Sequence, residues 1–415
     1  MSMLGSVMDG AFIILQVLVG VTSAYLAGMA FFGLYHKKEK ITVPPEKTFA
    51  VIVAAHNEEE VIEPLIDNLK KMDYPKELYD IYVICDNCSD GTANIVRKSG
   101  AIPCERFDET KRGKGYAIEW MLERLWAQEK QYDAVVMFDA DNLAATDFLL
   151  HMNQKLVNGA RVIQGYLDTK NPYDSWISIS YCISYYFTNR MWQLPRFNLG
   201  LANALGGTGI CIESQLLKEM GWGAHSLTED VEFTARCVER GVYPVWAHDA
   251  IVYDEKPNTM KASWNQRLRW MQGHFDCASR FLWPLLVKSI KTRNWAMLDA
   301  ALYLFQPMRL LMIFLITVIL YLQWVMPSWW SVTDVQKLLF PTQYWTIVSI
   351  LIYAQLPLSM LLEKANWRAY VGLIGYPVFL LTWFPITVVA YFTKNNKTWS
   401  HTAHNRGIRV EELPR

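Results

Sequence analysis

The chain has 415 residues, 40 Lys+Arg against 40 Asp+Glu, and 52% hydrophobic residues including 17 Trp. Zero net charge removes the electrostatic footprint of a nucleic-acid binder, and the length suggests two or three structural units. Seven scattered cysteines, an odd number without a disulfide framework, fit a reducing compartment.

Ala11–Leu34 comes first, apolar apart from small polar residues and long enough to cross a bilayer. No Lys or Arg precedes it and no cleavage site follows, which argues against a removable signal peptide. His36, Lys37, Lys38 and Lys40 follow directly, so the positive-inside rule makes the chain cytoplasmic from about residue 36.

Residues 46 to about 285 read as a soluble α/β domain. Apolar strand candidates are Phe49–Ala54, Ile81–Cys85, Ala134–Phe138 and Val162–Tyr166. Helical patterns alternate with them over Glu58–Met72, Thr92–Ser99, Gly115–Gln128 and Thr146–Val157, which implies crossover units and a mainly parallel sheet. The first strand runs into Ala55-His56-Asn57-Glu58, placing backbone N–H groups and carboxylates at the sheet's carboxyl edge, where open α/β sheets hold ligands. The second runs into Asp86, placed to accept hydrogen bonds from a base or ribose, with Ser89 or Asp90 as a cap for the next helix. Cys85 and Cys88 form a Cys-x-x-Cys, but no second pair completes a zinc site, and packing is their simplest role.

Arg112-Gly113-Lys114-Gly115 precedes the third helix, offering close backbone approach and one point charge at Lys114. The strand Ala134–Phe138 is followed by Asp139-Ala140-Asp141-Asn142. If extended geometry continues, both carboxylates point to the same side, an arrangement suited to a hard divalent cation that shares substrate phosphates. Leu205-Gly206-Gly207-Thr208-Gly209 is small enough to admit another molecule against the backbone. Thr228-Glu229-Asp230 opens a helical stretch, where the carboxylates serve the helix dipole or, in the case of Asp230, act as a general base toward an acceptor hydroxyl. In Gln266-Arg267-Leu268-Arg269-Trp270, helical spacing puts Gln266, Arg269 and Trp270 on one face.

Three long apolar stretches end the chain: Ala300–Met326, Tyr344–Leu362 and Tyr370–Phe392. Gln306-Pro307-Met308-Arg309 interrupts the first, so its early part is expected along the membrane surface, and Pro377 and Pro385 kink the last. Ala262–Ile290, aromatic and basic, is a further interface candidate. Membrane lipids are therefore expected partners. A transporter would need polar residues within several spans, which this chain largely lacks.

Taken in order, Asp86, Asp139-x-Asp141, Thr228-Glu229-Asp230 and Gln266-x-x-Arg269-Trp270 resemble the signature of membrane-integrated family 2 glycosyltransferases, the group of cellulose, hyaluronan and poly-N-acetylglucosamine synthases. The likeness covers the cytoplasmic part fully and the membrane part in outline. It implies a GT-A fold, an α/β Rossmann-like domain joined to an α-helical transmembrane region. It also implies a UDP-sugar donor, Mg²⁺ or Mn²⁺, and a single displacement that inverts the anomeric carbon. On this resemblance Asp86 contacts uracil, with Ala55, Glu58 and Lys114 near the nucleotide. Asp139 and Asp141 hold diphosphate and metal, and Asp230 is the base beside Thr228 and Glu229. Gln266, Arg269 and Trp270 take the acceptor end and the leaving diphosphate. Trp399-x-x-Thr402-x-His404 resembles a tail segment that covers the nucleotide in some of these synthases.

The expected organisation is an N-terminal helix and basic flank (1–40), a cytoplasmic GT-A domain (41–285), interface and transmembrane helices (286–393) and a tail with a possible lid (394–415). Such a chain is a multi-pass enzyme of the plasma membrane. Its acceptor is a growing β-linked polysaccharide or, alternatively, a membrane lipid; a non-catalytic nucleotide-sugar sensor would have lost the carboxylates retained here. The sequence sets no oligomeric state. Three apolar stretches after a cytoplasmic domain would leave the tail outside, whereas Lys394, Lys397, Arg406 and Arg409 argue for the cytoplasm, so one stretch is expected not to span.

Overall fold

The computed structural model describes residues 3–326, 341–396 and 406–414. Eight strands form one sheet: β1 (Phe49–Ala55), β2 (Tyr79–Asp86), β3 (Ile102–Arg106), β4 (Ala134–Asp139), β5 (Leu143–Ala144), β6 (Val162–Thr169), β7 (Ile210–Glu213) and β8 (Val245–Asp254). Their order is β3-β2-β1-β4-β7-β6-β8-β5. The first four are parallel, as the alternation predicts, because each returns through a helix. β7 then enters antiparallel between β4 and β6, and β5 pairs antiparallel with β8, so the sheet is mixed rather than mainly parallel. β5 follows β4 by only a few residues yet closes the far edge of the sheet, which therefore curls back toward the end of β4.

Helices cover both faces of the sheet. α2 (Ile62–Lys70), α3 (Thr92–Lys98) and α5 (Phe148–Val157) bury Leu65, Leu69, Val96, Phe148 and Met152 against one face. α4 (Lys114–Trp126), α8 (Ser214–Met220) and α9 (Glu229–Glu239) bury Ile118, Met121, Leu217 and Phe233 against the other. Each such side chain contributes roughly 1.5–3 kcal/mol, and the two layers hold the strand ends in fixed relation. α2 starts at Ile62, four residues later than the pattern from Glu58 suggests, since Glu58 spends its N–H on Thr92 Oγ1 (2.9 Å) in the preceding turn.

α1 (Met3–Ala30) is pinned to this domain near its end. Tyr25 donates to Asp299 Oδ1 (2.9 Å), and Asp299 also accepts from Arg196 (2.7 and 3.0 Å). α6 (Trp176–Phe187) and α7 (Leu194–Asn198) carry the chain to the glycine-rich stretch. α10 (Met260–Thr292) is a single long helix, and α11 (Trp295–Leu304) folds back on it before α12 (Gln306–Val325) departs. The expected break at Gln306-Pro307 is thus real, with proline in the first turn where its missing N–H costs nothing. α12 packs on α1 through Ile316, Phe12 and Val19, and α13 (Thr342–Leu362) does so through Tyr344 to the Gly20 carbonyl (2.8 Å).

The last apolar stretch is three short helices rather than one kinked one: α14 (Trp367–Gly372), α15 (Tyr376–Leu381) and α16 (Trp383–Thr393). α16 lies along α10. Arg267 is fully buried, its guanidinium 4.3 Å from the Phe379 ring centroid and hydrogen-bonded to Thr382 Oγ1 (2.8 Å). Five residues after Arg267, Gln272 donates to Thr393 Oγ1 (2.9 Å), and further along Phe275 meets Tyr391 edge-on. Four helical segments are long and apolar enough to cross a membrane: Val7–Gly33, Gln306–Val325, Gln343–Leu362 and Tyr376–Thr393. Beyond them, Arg406 pairs with Asp174, Lys71 with Glu411 (3.3 Å), and Gly407 lies against the Glu60 backbone.

Candidate active site

The carboxyl ends of β1, β2 and β4 and the starts of α4 and α9 open onto one cavity of about 1330 Å³. Ala55, Glu58, Asp86, Lys114, Asp139, Asp141, Thr228, Glu229, Asp230, Gln266, Arg269 and Trp270 all line it. The residues singled out from the sequence therefore come together, except Trp399, Thr402 and His404, which lie outside the described residues.

Asp86 closes β2 with Oδ1 accepting from Arg106 Nη1 (2.5 Å) and Asn87 Nδ2 (3.0 Å). Burial pushes its carboxyl above the usual range, and Arg106 opposes that shift. Among the described residues its Oδ2 has no hydrogen-bond partner, which leaves an acceptor for an N–H of a base. Arg106 escaped sequence reading because it ends β3, a half-exposed edge strand carrying Pro103 and Glu105.

The chain turns directly after Asp139, where β4 ends, so strand alternation does not align the two aspartates as expected. A side-chain hub holds the turn that carries them. Asn142 Oδ1 accepts from the Asp139 N–H (3.1 Å) and from the Thr208 hydroxyl. Its amide donates to Asp141 (3.3 Å) and Asp254 (3.2 Å). Lys170, fully buried, donates to the Asp141 carbonyl (2.9 Å), with burial lowering its pKa. Two carboxylates on one wall fit a hard divalent ion that completes its shell from phosphate oxygens and water; no group of three or more His, Cys, Asp or Glu able to hold a metal exists among the described residues.

Lys114, at the first turn of α4, sits between these walls. Its Nζ is 2.5 Å from Asp139 Oδ1 and 3.5 Å from Glu229 Oε1, and it donates to the Gly207 carbonyl (2.5 Å). Burial alone would lower its pKa, but Asp139 and Glu229 outweigh burial and raise it. Gly207 has φ +82°, and a β-carbon there would stand 3.5 Å from Asp230 Oδ2. Asp230 begins α9 and accepts from the Val231 N–H (2.8 Å). It is half-buried and lines the cavity. Burial first, then Glu229, raises its pKa to about 7, against the pull of Lys114. A carboxylate near neutrality is suited to proton abstraction.

α10 supplies the opposite wall. Among the described residues Gln266 Oε1 is buried without a hydrogen-bond partner, and Arg269 makes no ion pair or hydrogen bond. Trp270 meets Tyr181 edge-on at 6.1 Å. Gln266, Arg269 and Trp270 all line the cavity, whereas Arg267 packs on Phe379 and Trp383 of α15 and α16. Beyond Trp270 the cavity is walled by Tyr303, Phe379 and Trp383. A carboxylate base, a guanidinium without an ion-pair partner among the described residues and two metal-suited carboxylates around one space can assist a hydroxyl in displacing a diphosphate-like leaving group.

These features define a glycosyltransferase of the GT-A fold. Residues 44–273 match the model of the glycosyltransferase-like family 2, and the chain belongs to that family. Among curated proteins it is 29% identical to the β-monoglucosyldiacylglycerol synthase of Trichormus variabilis, over 60% of this chain and 54% of that protein. It is 24% identical to the poly-β-1,6-N-acetyl-D-glucosamine synthase of Staphylococcus aureus, over 59% of each chain. The chain thus spans little more than half the length of the curated relatives it matches. In fold it resembles a mannosyltransferase from Pyrobaculum calidifontis in complex with GDP-Man and Mn²⁺, with TM-score 0.58, 17% identity and coverage of 94% of this chain and 99% of that one.

Proposed function

We propose that this chain is an inverting glycosyltransferase moving a hexosyl group from a UDP-sugar to the hydroxyl of a membrane lipid. The observation that carries the reading is that one cavity is lined both by Asp86, Asp139 and Asp230 and by the aromatic side chains of Tyr303, Phe379 and Trp383. A donor diphosphate suits the polar side chains of that lining, and the acyl-rich part of an acceptor suits the aromatic ones. Asp230 takes the acceptor proton as the hydroxyl oxygen attacks the anomeric carbon from the face opposite the diphosphate, which leaves with the bonding electrons. Arg269 offers two parallel N–H donors to the charge that grows on that leaving group. Asp139 and Asp141 would hold Mg²⁺ or Mn²⁺, which neutralises diphosphate oxygens when bound. Asp86 accepts from the imide N–H of uracil, although guanine offers a similar donor, so GDP-mannose belongs in any donor test.

A bilayer location follows from the apolar helices, with the catalytic domain on the cytoplasmic side of the plasma membrane. The packing of α16 along α10 and the contacts of Arg406, Gly407 and Glu411 with the catalytic domain support three spans (α1, α12, α13) and a cytoplasmic tail. This is the parity that the basic residues require. A growing polysaccharide is the second reading, favoured by the likeness to the poly-β-1,6-N-acetyl-D-glucosamine synthase. The two separate on product chemistry. Purified protein in nanodiscs, given radiolabelled UDP-sugars and membrane lipids, should place label in an organic-extractable product of one sugar per lipid. Label in a water-soluble or insoluble polymer would replace the lipid reading with the polymer one.

A further inference from the structure

The turn between α10 and α11 carries a surface that the transfer reaction does not use. Trp283, Ile290 and Trp295 are 69%, 69% and 74% exposed, although large apolar side chains normally bury most of their area. Trp283, Val287 and Ile290 recur at spacings of four and three, so they form one stripe on α10. Trp283, Pro284, Val287 and Lys291 line a shallow depression of about 440 Å³. Lys288 at its edge gives its ammonium to the Glu239 carbonyl. Lys291 and Arg293 make no ion pair among the described residues and stand exposed beside the stripe.

What covers this face is set by its neighbours. α11 lies level with the cytoplasmic third of α1, since Asp299 holds Tyr25 (2.9 Å), and α11 runs directly into α12. A helix hairpin at that depth meets the boundary of headgroups and acyl chains. There tryptophan rings are favoured and Lys or Arg stems extend their charges to the headgroups. Unpaired cations beside exposed indoles complement an anionic surface rather than a zwitterionic one. We propose that the α10–α11 turn is a docking surface for anionic glycerophospholipids of the cytoplasmic leaflet. Its rings enter the acyl boundary, while Lys291 and Arg293 take the headgroup phosphates. The proposal rests on the reading that the long apolar helices enter a bilayer, and it leaves the acceptor and donor open. Because α10 also carries Gln266, Arg269 and Trp270, the same helix fixes the height of the acceptor wall above the membrane.

The test uses the full chain in nanodiscs holding equal amounts of phosphatidylglycerol and phosphatidylcholine. After release into detergent, retained lipids are counted by native mass spectrometry. The wild-type protein should retain phosphatidylglycerol in excess, and Lys291→Gln/Arg293→Gln should lose that excess by about 25-fold, near fivefold for each of the two charges. Quenching by brominated phosphatidylglycerol should also fall in Trp283→Phe/Trp295→Phe relative to wild type. Equal retention of both lipids by the wild-type protein, or unchanged excess in the charge variant, would overturn the proposal. Loss of sugar transfer with lipid selectivity intact would count against the proposed function and not against this surface.

Discussion

A β-carbon placed on Gly273 would stand 2.4 Å from Thr228 Oγ1 and 2.8 Å from its backbone nitrogen. Only hydrogen at this position lets α10 lie against Thr228, the N-cap residue of α9, so Gly273 sets the distance between Asp230 and the wall of Gln266, Arg269 and Trp270. Gly273→Ala should push the two apart, because backbone cannot yield as a side-chain tip can. Displacements near 1 Å can cost roughly a hundredfold in rate. Transfer by Gly273→Ala should therefore fall at least about tenfold, with circular dichroism unchanged; full activity would detach Gly273 from the site.

Asp230→Asn should lower turnover by on the order of 100- to 10,000-fold while UDP binding persists, since an amide cannot accept the hydroxyl proton. The same substitution should be stabilising at alkaline pH. The folded pKa near 7 lies above the ordinary 3.8, so between those values the folded state holds a proton that the unfolded state has lost. Stability therefore declines as pH rises through that window. A higher Tm for Asp230→Asn at pH 8, vanishing toward pH 4, is the expected pattern; a lower Tm at pH 8 would mean that burial does not strain this carboxylate.

The pH profile gives a second handle on the same pair. Transfer should rise along an acid limb centred near the Asp230 pKa of about 7. Lys114 favours the ionised form of Asp230, so Lys114→Met should move that limb to higher pH as well as weakening donor binding. An unmoved limb would separate Lys114 from the base, whatever the change in KM.

Sequence patterns found β1, β2, β4 and β6 within a few residues because apolar runs buried on both faces announce themselves. β3, β7 and β8 stayed hidden for physical reasons. β3 is a half-exposed edge, β7 has four residues, and β8 mixes polar side chains with a register shift opposite Gly165 and Tyr166. The site residues were legible as types, since carboxylates after strands and a cation-bearing helix face have few other uses. The contacts that support them were not, because Asn142, Thr208, Lys170 and Gly273 act between segments distant in the chain.

Arg269 and Trp270 should separate by function. Arg269→Lys keeps charge but loses the planar fork, so both transfer and slow donor hydrolysis by water should fall. Trp270→Ala removes an acceptor surface and should spare hydrolysis. Equal loss of both reactions in the two variants would contradict this division.

Removing a carboxylate proposed to hold the ion offers a further control. Asp141→Ala should weaken UDP binding in Mn²⁺ and change it little in EDTA, because the lost interaction runs through the ion. Equal weakening under both conditions would make Asp141 structural.

The most direct test follows the anomeric proton of the transferred sugar by NMR. The protein in nanodiscs is supplied with a panel of α-linked UDP-sugars, with GDP-mannose alongside. A single displacement assisted by Asp230 predicts a β-linked product from a UDP-sugar, absent with Asp230→Asn. An α-linked product, or transfer from GDP-mannose alone, would contradict the account.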